Sequence, residues 1–182
     1  NEYNQKRRDS ENEILEEAER QIAERGEIAR AILLAHEDWN AGVIGIVASR
    51  LCEKYHIPVI LFAEQNGVLT GSGRSIAGID LFENLSVFSQ MFIRFGGHAR
   101  AAGVTIAKER YEEFRAAFER HIAESYRPED FYPSFLYDET VSFGELSVNR
   151  LKELRQLAPY GEGNAEPVFR FDGVRFASLR TI

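Results

Sequence analysis

Three glycines within nine residues, in Phe95-Gly96-Gly97-His98-Ala99-Arg100-Ala101-Ala102-Gly103, constrain this chain more than any other stretch. A backbone without Cβ atoms at those points can take φ > 0 or come close to a ligand. The run follows a segment of helical spacing and opens onto the strand-like Gly103-Val104-Thr105-Ile106. Its histidine, His98, can serve as a neutral acceptor or a charged donor near neutral pH. Upstream lies Gly71-Ser72-Gly73-Arg74-Ser75, whose amides, hydroxyls and guanidinium suit a phosphate. Together the two runs predict an anion-binding site assembled from two loops.

Composition narrows the class. At 182 residues, 44% hydrophobic and 28% charged, the chain is globular and long enough for one domain plus part of a second. No apolar run reaches the roughly 18 residues of a membrane span, and the start lacks the apolar core of a signal peptide. The single cysteine, Cys52, excludes an internal disulfide and a Cys-based zinc cluster, and its apolar helical surroundings predict a buried thiol. A cytoplasmic protein without a membrane partner is the expectation. Because residue 1 is Asn and the chain stops within a strand-like pattern at Arg180-Thr181-Ile182, a fragment of a longer protein is expected.

Net charge is −7, which argues against indiscriminate nucleic-acid binding, but the charge is uneven. Residues 1–38 carry 6 basic and 11 acidic side chains, residues 39–107 carry 5 and 4, and residues 108–182 carry 11 and 14. The segment holding both glycine runs is the least acidic.

Along the chain, residues 1–25 read as one charged helix with a narrow stripe of Ile14, Ala18 and Ile22, stopped by Gly26. A buried strand follows at 29–35, an amphipathic helix at 42–55 and a second buried strand at Val59–Ala63. Asn66-Gly67 predicts a hairpin turn. Asp80 caps a helix over 81–92, a strand covers 103–106, and Tyr111, Phe114, Phe118 and Ile122 mark a helix to about residue 126. The fold class is α/β: a small mixed sheet flanked by helices, preceded by a long connector helix and followed by part of a β-rich domain. The expected boundaries are 1–25, 26–127 and 128–182. In the last segment, strands are expected at 135–143, 167–171 and 173–180, with a helix at 146–158 and a turn at Pro159–Asn164.

Arg74 can grip a phosphate with its planar fork, or it can be a solvated arginine in an ordinary Gly/Ser turn. His98 can be a satisfied structural histidine, a phosphate donor or, more demandingly, a general acid. His36-Glu37-Asp38 reads as a solvated loop rather than a cation site, since adjacent residues seldom face one way. His56 and His121 have no spaced partner, and Ser72 and Ser75 lack an activating base. No hydrolytic machine is complete here, and no catalytic residue is expected in this chain unless it is His98.

Three runs carry a resemblance: Trp39-Asn40-Ala41-Gly42-Val43-Ile44-Gly45-Ile46-Val47-Ala48-Ser49-Arg50-Leu51, the Gly-Ser-Gly-Arg-Ser-Ile run at 71–76, and Gly-Gly-His-x-x-Ala-Ala-Gly at 96–103. In this order and spacing they resemble the DHH-associated domain of DHH-type phosphoesterases, specifically that of the RecJ single-strand DNA exonucleases. The run Leu157 to Phe169 resembles the opening of the RecJ oligonucleotide-binding (OB-fold) domain. Two positions depart from the pattern, Asn40 where His is frequent and Ala165 where Pro is common.

The resemblance implies that Ser72, Gly73, Arg74, Ser75, Gly96, Gly97 and His98 face a cleft and hold nucleic-acid phosphates. It implies a 5′→3′ exonuclease acting on single-stranded DNA, with Mn²⁺ or Mg²⁺ held by an N-terminal domain named for an Asp-His-His motif. That tripeptide does not occur in these 182 residues, so no metal is expected in the chain itself. Residues 1–25 would end the helix joining the two domains, and the chain would position substrate and be inactive alone. Single-strand-binding protein and repair helicases are the further partners the family implies. Two other functions stay open: a DHH phosphodiesterase of short oligonucleotides or cyclic dinucleotides, and a non-catalytic nucleic-acid-binding module. The OB-like tail favours a long strand over a dinucleotide, since a strand needs an extended platform.

Overall fold

The structure, a computed structural model, describes residues 2–26, 29–134, 136–175 and 177–178. The backbone divides into two units, residues 1–133 and 134–182.

The first unit is built on a five-stranded sheet of order β1-β2-β3-β5-β4. Helix α1 (Glu2–Arg25) buries the expected stripe of Ile14, Ala18 and Ile22. Its almost buried Glu11 meets Arg50 Nε of α2 (Ile44–Tyr55) at 3.0 Å. Strand β1 (Ile32–His36) and β2 (Val59–Gln65) lie parallel, with α2 as the crossover between them. Asn66 and Gly67, at φ 53° and 76°, then turn the chain tightly into β3 (Val68–Arg74). Positive φ at both positions is what a type I′ hairpin requires, so the Asn-Gly signal is borne out.

Asp80 caps α3 (Leu81–Ser86), its carboxylate accepting from the Glu83 amide at 2.9 Å. The helix ends there instead of continuing to 92; a single 3₁₀ turn at Ser89–Met91 carries the chain on to β4 (Arg94–His98). A two-residue turn at Ala99-Arg100 leads into β5 (Ala101–Ala107), and α4 (Tyr111–Ser125) closes the layer. On the α4 side, Phe62 of β2 packs edge-on against Tyr111 and Phe114, and Phe88 packs against Phe114 and Phe118. His121 is structural, its Nε2 2.9 Å from Asn84 Oδ1, while the Asn84 amide donates to the Tyr126 hydroxyl at 2.7 Å.

The two glycine runs expected as loops are strands, β3 and β4. Gly71 and Gly73 alternate onto the covered face, where an added Cβ would stand 2.5 Å from the Phe62 ring and 2.8 Å from Leu81 Cδ2. These glycines therefore make room for core side chains, and the strand runs through a Gly/Ser composition that carries no apolar alternation of its own.

In the second unit, β6 (Glu139–Thr140) and β7 (Phe169–Arg170) pair in parallel, and α5 (Val148–Leu154) is capped by Ser147. The strand expected over 135–143 forms only at 139–140, where β7 gives it hydrogen-bond partners; Phe135 lies outside the described residues. The helix expected over 146–158 is α5 followed by a 3₁₀ turn at Arg155–Leu157. The turn after Pro159 closes as expected, Gly161 and Asn164 exchanging backbone hydrogen bonds at 2.9 and 3.0 Å. No strand forms over 173–175 or 177–178, and the remainder of the expected 173–180 strand lies outside the described residues.

Candidate functional site

Helices α3 and α4 cover one face of the sheet, and α2 packs on β2 and β3 from the other. Beyond β3, this second face is open. The register stacks it into three cross-strand rows: Arg74–Ala101–His98, then Ser72–Gly103–Gly96, then Thr70–Thr105–Arg94. Gly96, Gly103, Thr70, Arg94 and His98 are exposed, while Ser72, Arg74 and Thr105 are half-buried.

Arg74 is held at the border of α2. Its Nη1 donates to the Gly73 carbonyl at 2.7 Å and to Ser72 Oγ at 3.1 Å. Its Nη2 lies 3.0 Å from where a Cβ on Gly45 would stand, and Ser72 Oγ lies 2.9 Å from that point. The missing side chain of Gly45, in the first of the three motifs, thus lets the second motif lie against α2. Among the described residues, neither Arg74, Arg94 nor Arg100 forms an ion pair with a carboxylate. A guanidinium positioned this way keeps donors for an incoming anion.

His98 shares the row of Arg74, two strands away and so about 10 Å between backbones. Its Nδ1 accepts from the Arg100 amide at 3.3 Å, which leaves Nε2–H as the ring's donor. Backbone bonds stitch the runs together: the Ser75 amide donates to Arg100 O at 3.0 Å and the Leu81 amide to Ala99 O at 2.9 Å.

Of the seven residues singled out in the sequence, Ser72, Arg74, Gly96 and His98 share the open face. The other three serve the framework. Gly73 faces Leu81 and Ile60, and Ser75 is buried with its hydroxyl donating to Ile79 O at 2.7 Å. Gly97, at φ 150°, has no room for a Cβ, which would fall 2.3 Å from Ala101 O. Gly45 and Gly103 stand in the sequence only as members of the first and third motifs, and Thr70, Arg94 and Thr105, which share the open face, carry no signal of their own beyond the strand alternation that the glycine runs obscure.

The donors on this face are guanidinium, imidazole, hydroxyl and amide, a set for an anion and not for a hard cation, which needs carboxylate or carbonyl oxygens. Among the described residues, no three His, Cys, Asp or Glu side chains gather where they could hold a metal ion. His36 instead stacks on Trp39 and accepts from the Asp38 amide at 3.2 Å. Burial pushes the Cys52 thiol up to about 11, against the opposing pull of Arg100 and Arg74, so it is not a nucleophile at neutral pH. Among the described residues, no helix is long and apolar enough to cross a membrane.

The chain is similar to the single-stranded-DNA-specific exonuclease RecJ of Salmonella typhimurium, 38% identical over 154 residues that make up 82% of this chain and 26% of that one. The RecJ of Bacillus subtilis is 32% identical over 181 residues, 98% of this chain and 23% of its own. The chain therefore spans about a quarter of the length of the curated relatives it matches. The crystal structure of Thermus thermophilus RecJ in complex with Mn²⁺ superposes with a TM-score of 0.71 at 32% identity, over 92% of this chain and 24% of that one. A second structure of the same protein is in complex with Mg²⁺. Residues 27–124 match the family described as the DHHA1 domain and residues 137–182 the RecJ OB domain, so this chain belongs to the DHHA1 family, with a RecJ-type OB segment following it.

Proposed function

We propose that this chain is the substrate-positioning part of a RecJ-type single-stranded-DNA exonuclease. The observation that carries the reading is the open sheet face, which brings Arg74, Ser72 and His98 together with no carboxylate in its three rows, in a chain of net charge −7. Such a face selects a polyanion locally while the rest of the surface repels it. Arg74 offers Nη2 and Nε to a phosphate oxygen while Ser72 and Gly73 hold its Nη1. His98 donates from Nε2–H on the opposite side of Ala101. These residues hold a phosphodiester in place for attack, which converts an encounter into a positioned reaction.

The residues of this face do not fit a divalent metal. Hydrolysis belongs to a metal-bearing domain of the kind that the RecJ relatives' Mn²⁺ and Mg²⁺ complexes support. On this reading residues 1–25 connect the domains, 26–127 form the phosphate-binding unit and 128–182 open an OB-like domain. The same reading implies a cytoplasmic repair nuclease whose partners include single-strand-binding protein and repair helicases.

The test uses the full-length protein that contains this segment, with labelled single- and double-stranded DNA and Mn²⁺. Degradation of the single strand from its 5′ end is expected, and Arg74→Ala should slow it at least tenfold. Wild-type turnover in Arg74→Ala, or hydrolysis confined to dinucleotides, overturns the reading.

A further inference from the structure

The glycines of β3, β4 and β5 fall into two groups. Gly71, Gly73 and Gly97 have packing reasons to lack a side chain: an added Cβ would approach neighbouring atoms to 2.5, 2.8 and 2.3 Å. Gly96 and Gly103 have none. Nothing lies within 4 Å of a Cβ built on Gly96, and only Gly71 O, at 3.9 Å, approaches one on Gly103; neither has positive φ. They are direct cross-strand partners, both exposed, in the middle row of the open face. Glycine weakens a strand, so an exposed pair with no packing cause points to a ligand that must come close to the backbone.

The floor continues into a shallow depression of about 260 Å³ bounded by Thr70, Thr105 and Arg94. This row ends in a basic group without a carboxylate partner among the described residues, mirroring the Arg74–Ala101–His98 row at the other end. Four residues of strand separate the two rows, about 13 Å. One phosphate cannot reach both.

We propose that the Gly96–Gly103 pair is the floor of a track for a sugar–phosphate backbone, and that Thr70, Thr105 and Arg94 hold a second phosphate of the same strand. This rests on the reading of Arg74 and His98 as phosphate-binding, and extends it from a point of attachment to a direction of travel along β5. A hydroxyl on either side and a guanidinium at the exposed edge supply donors for an oxygen-rich group, and the missing Cβ atoms between the rows let the sugar pass.

The probes are oligothymidylate, which can span both rows, and thymidine 5′-monophosphate, which cannot. Arg94→Ala should weaken the oligomer about three- to tenfold and lower its salt slope by about 0.7, the share of one phosphate contact on a single strand. It should leave the mononucleotide unchanged, and Arg94→Lys should recover part of the loss. Gly103→Ala should keep the melting temperature and weaken only the oligomer, because its methyl enters open space above the floor. If Arg74→Ala loses both ligands while Arg94→Ala and Gly103→Ala bind the oligomer like wild type, the second phosphate is wrong and the first site stands. If Arg94→Ala also weakens the mononucleotide, the two rows are one site and the track is wrong. If Arg74→Ala changes neither ligand, the underlying reading fails with it.

Discussion

Gly45 and Arg74 are locked together across two elements: the guanidinium Nη2 occupies space 3.0 Å from where a Cβ on Gly45 would be. An alanine there would be favourable to the helix by about 0.5–1 kcal/mol, since glycine is a poor residue within a helix. It would also push Ser72 Oγ and the Arg74 guanidinium, which can shift only by disturbing the hydrogen bond between them. Gly45→Ala should therefore keep or raise Tm while weakening single-stranded DNA several-fold, a combination that thermal melts beside fluorescence anisotropy would reveal. A lower Tm with unchanged affinity would place the glycine in the framework only.

Arg74→Ala removes a charge-assisted fork worth on the order of 1.5–3 kcal/mol when desolvated. Because Arg74 is half-exposed, a loss near the lower end, about tenfold in affinity, is expected. Arg74→Lys should restore only part of it, keeping charge without the planar geometry. Circular dichroism of both variants should match wild type.

The covered face gives the opposite pattern. Gly71→Ala would set a methyl 2.5 Å from the Phe62 ring, and overpacking of this kind costs about 1–3 kcal/mol. Gly97→Ala meets main chain at 2.3 Å and an unsuitable φ, so the β4–β5 hairpin should not close properly. Denaturant melts should order the variants as wild type, then Gly71→Ala, then Gly97→Ala, with Gly96→Ala close to wild type.

These contrasts explain what was legible beforehand. Where side chains alternate or recur with a regular period, as in the Ile14–Ala18–Ile22 stripe or Phe114–Phe118–Ile122, burial follows the pattern. The Asn66-Gly67 turn was equally readable because its positive φ values are a local requirement. Strand β4 was not, because Gly96 and Gly97 give it no apolar alternation, and neither was β3, since Phe62 and Leu81 reach in from other elements to fill the covered face over Gly71 and Gly73. That space is a tertiary fact without a local signature. The same omission hid Arg94 and Thr105, which join the open face only through their cross-strand pairing. The early end of α3 is also tertiary: Phe88 leaves helical geometry and packs against Phe114, Phe118 and His121.

Cys52 makes stability sensitive to alkali. Its folded-state value is raised to about 11 from 9.0 by burial, so above pH 9 the unfolded chain holds fewer protons than the folded one. The stabilising difference is fully present below pH 9 and is lost as pH rises from 9 towards 11. Melting temperature should fall across that window, and Cys52→Ala should flatten part of the fall. An identical pH slope in the variant would assign the loss to other groups.

Strand β4 is the last strand of its sheet, paired on one side only, and two of its five residues are glycine. Such a margin opens at lower free energy than the centre of a sheet, so its amides should exchange with solvent well before those of β2. Three of the residues proposed to receive the strand, Arg94, Gly96 and His98, therefore lie on a margin ready to fray, and occupancy would slow exchange there first. Recognition and local order would then be two readings of one equilibrium.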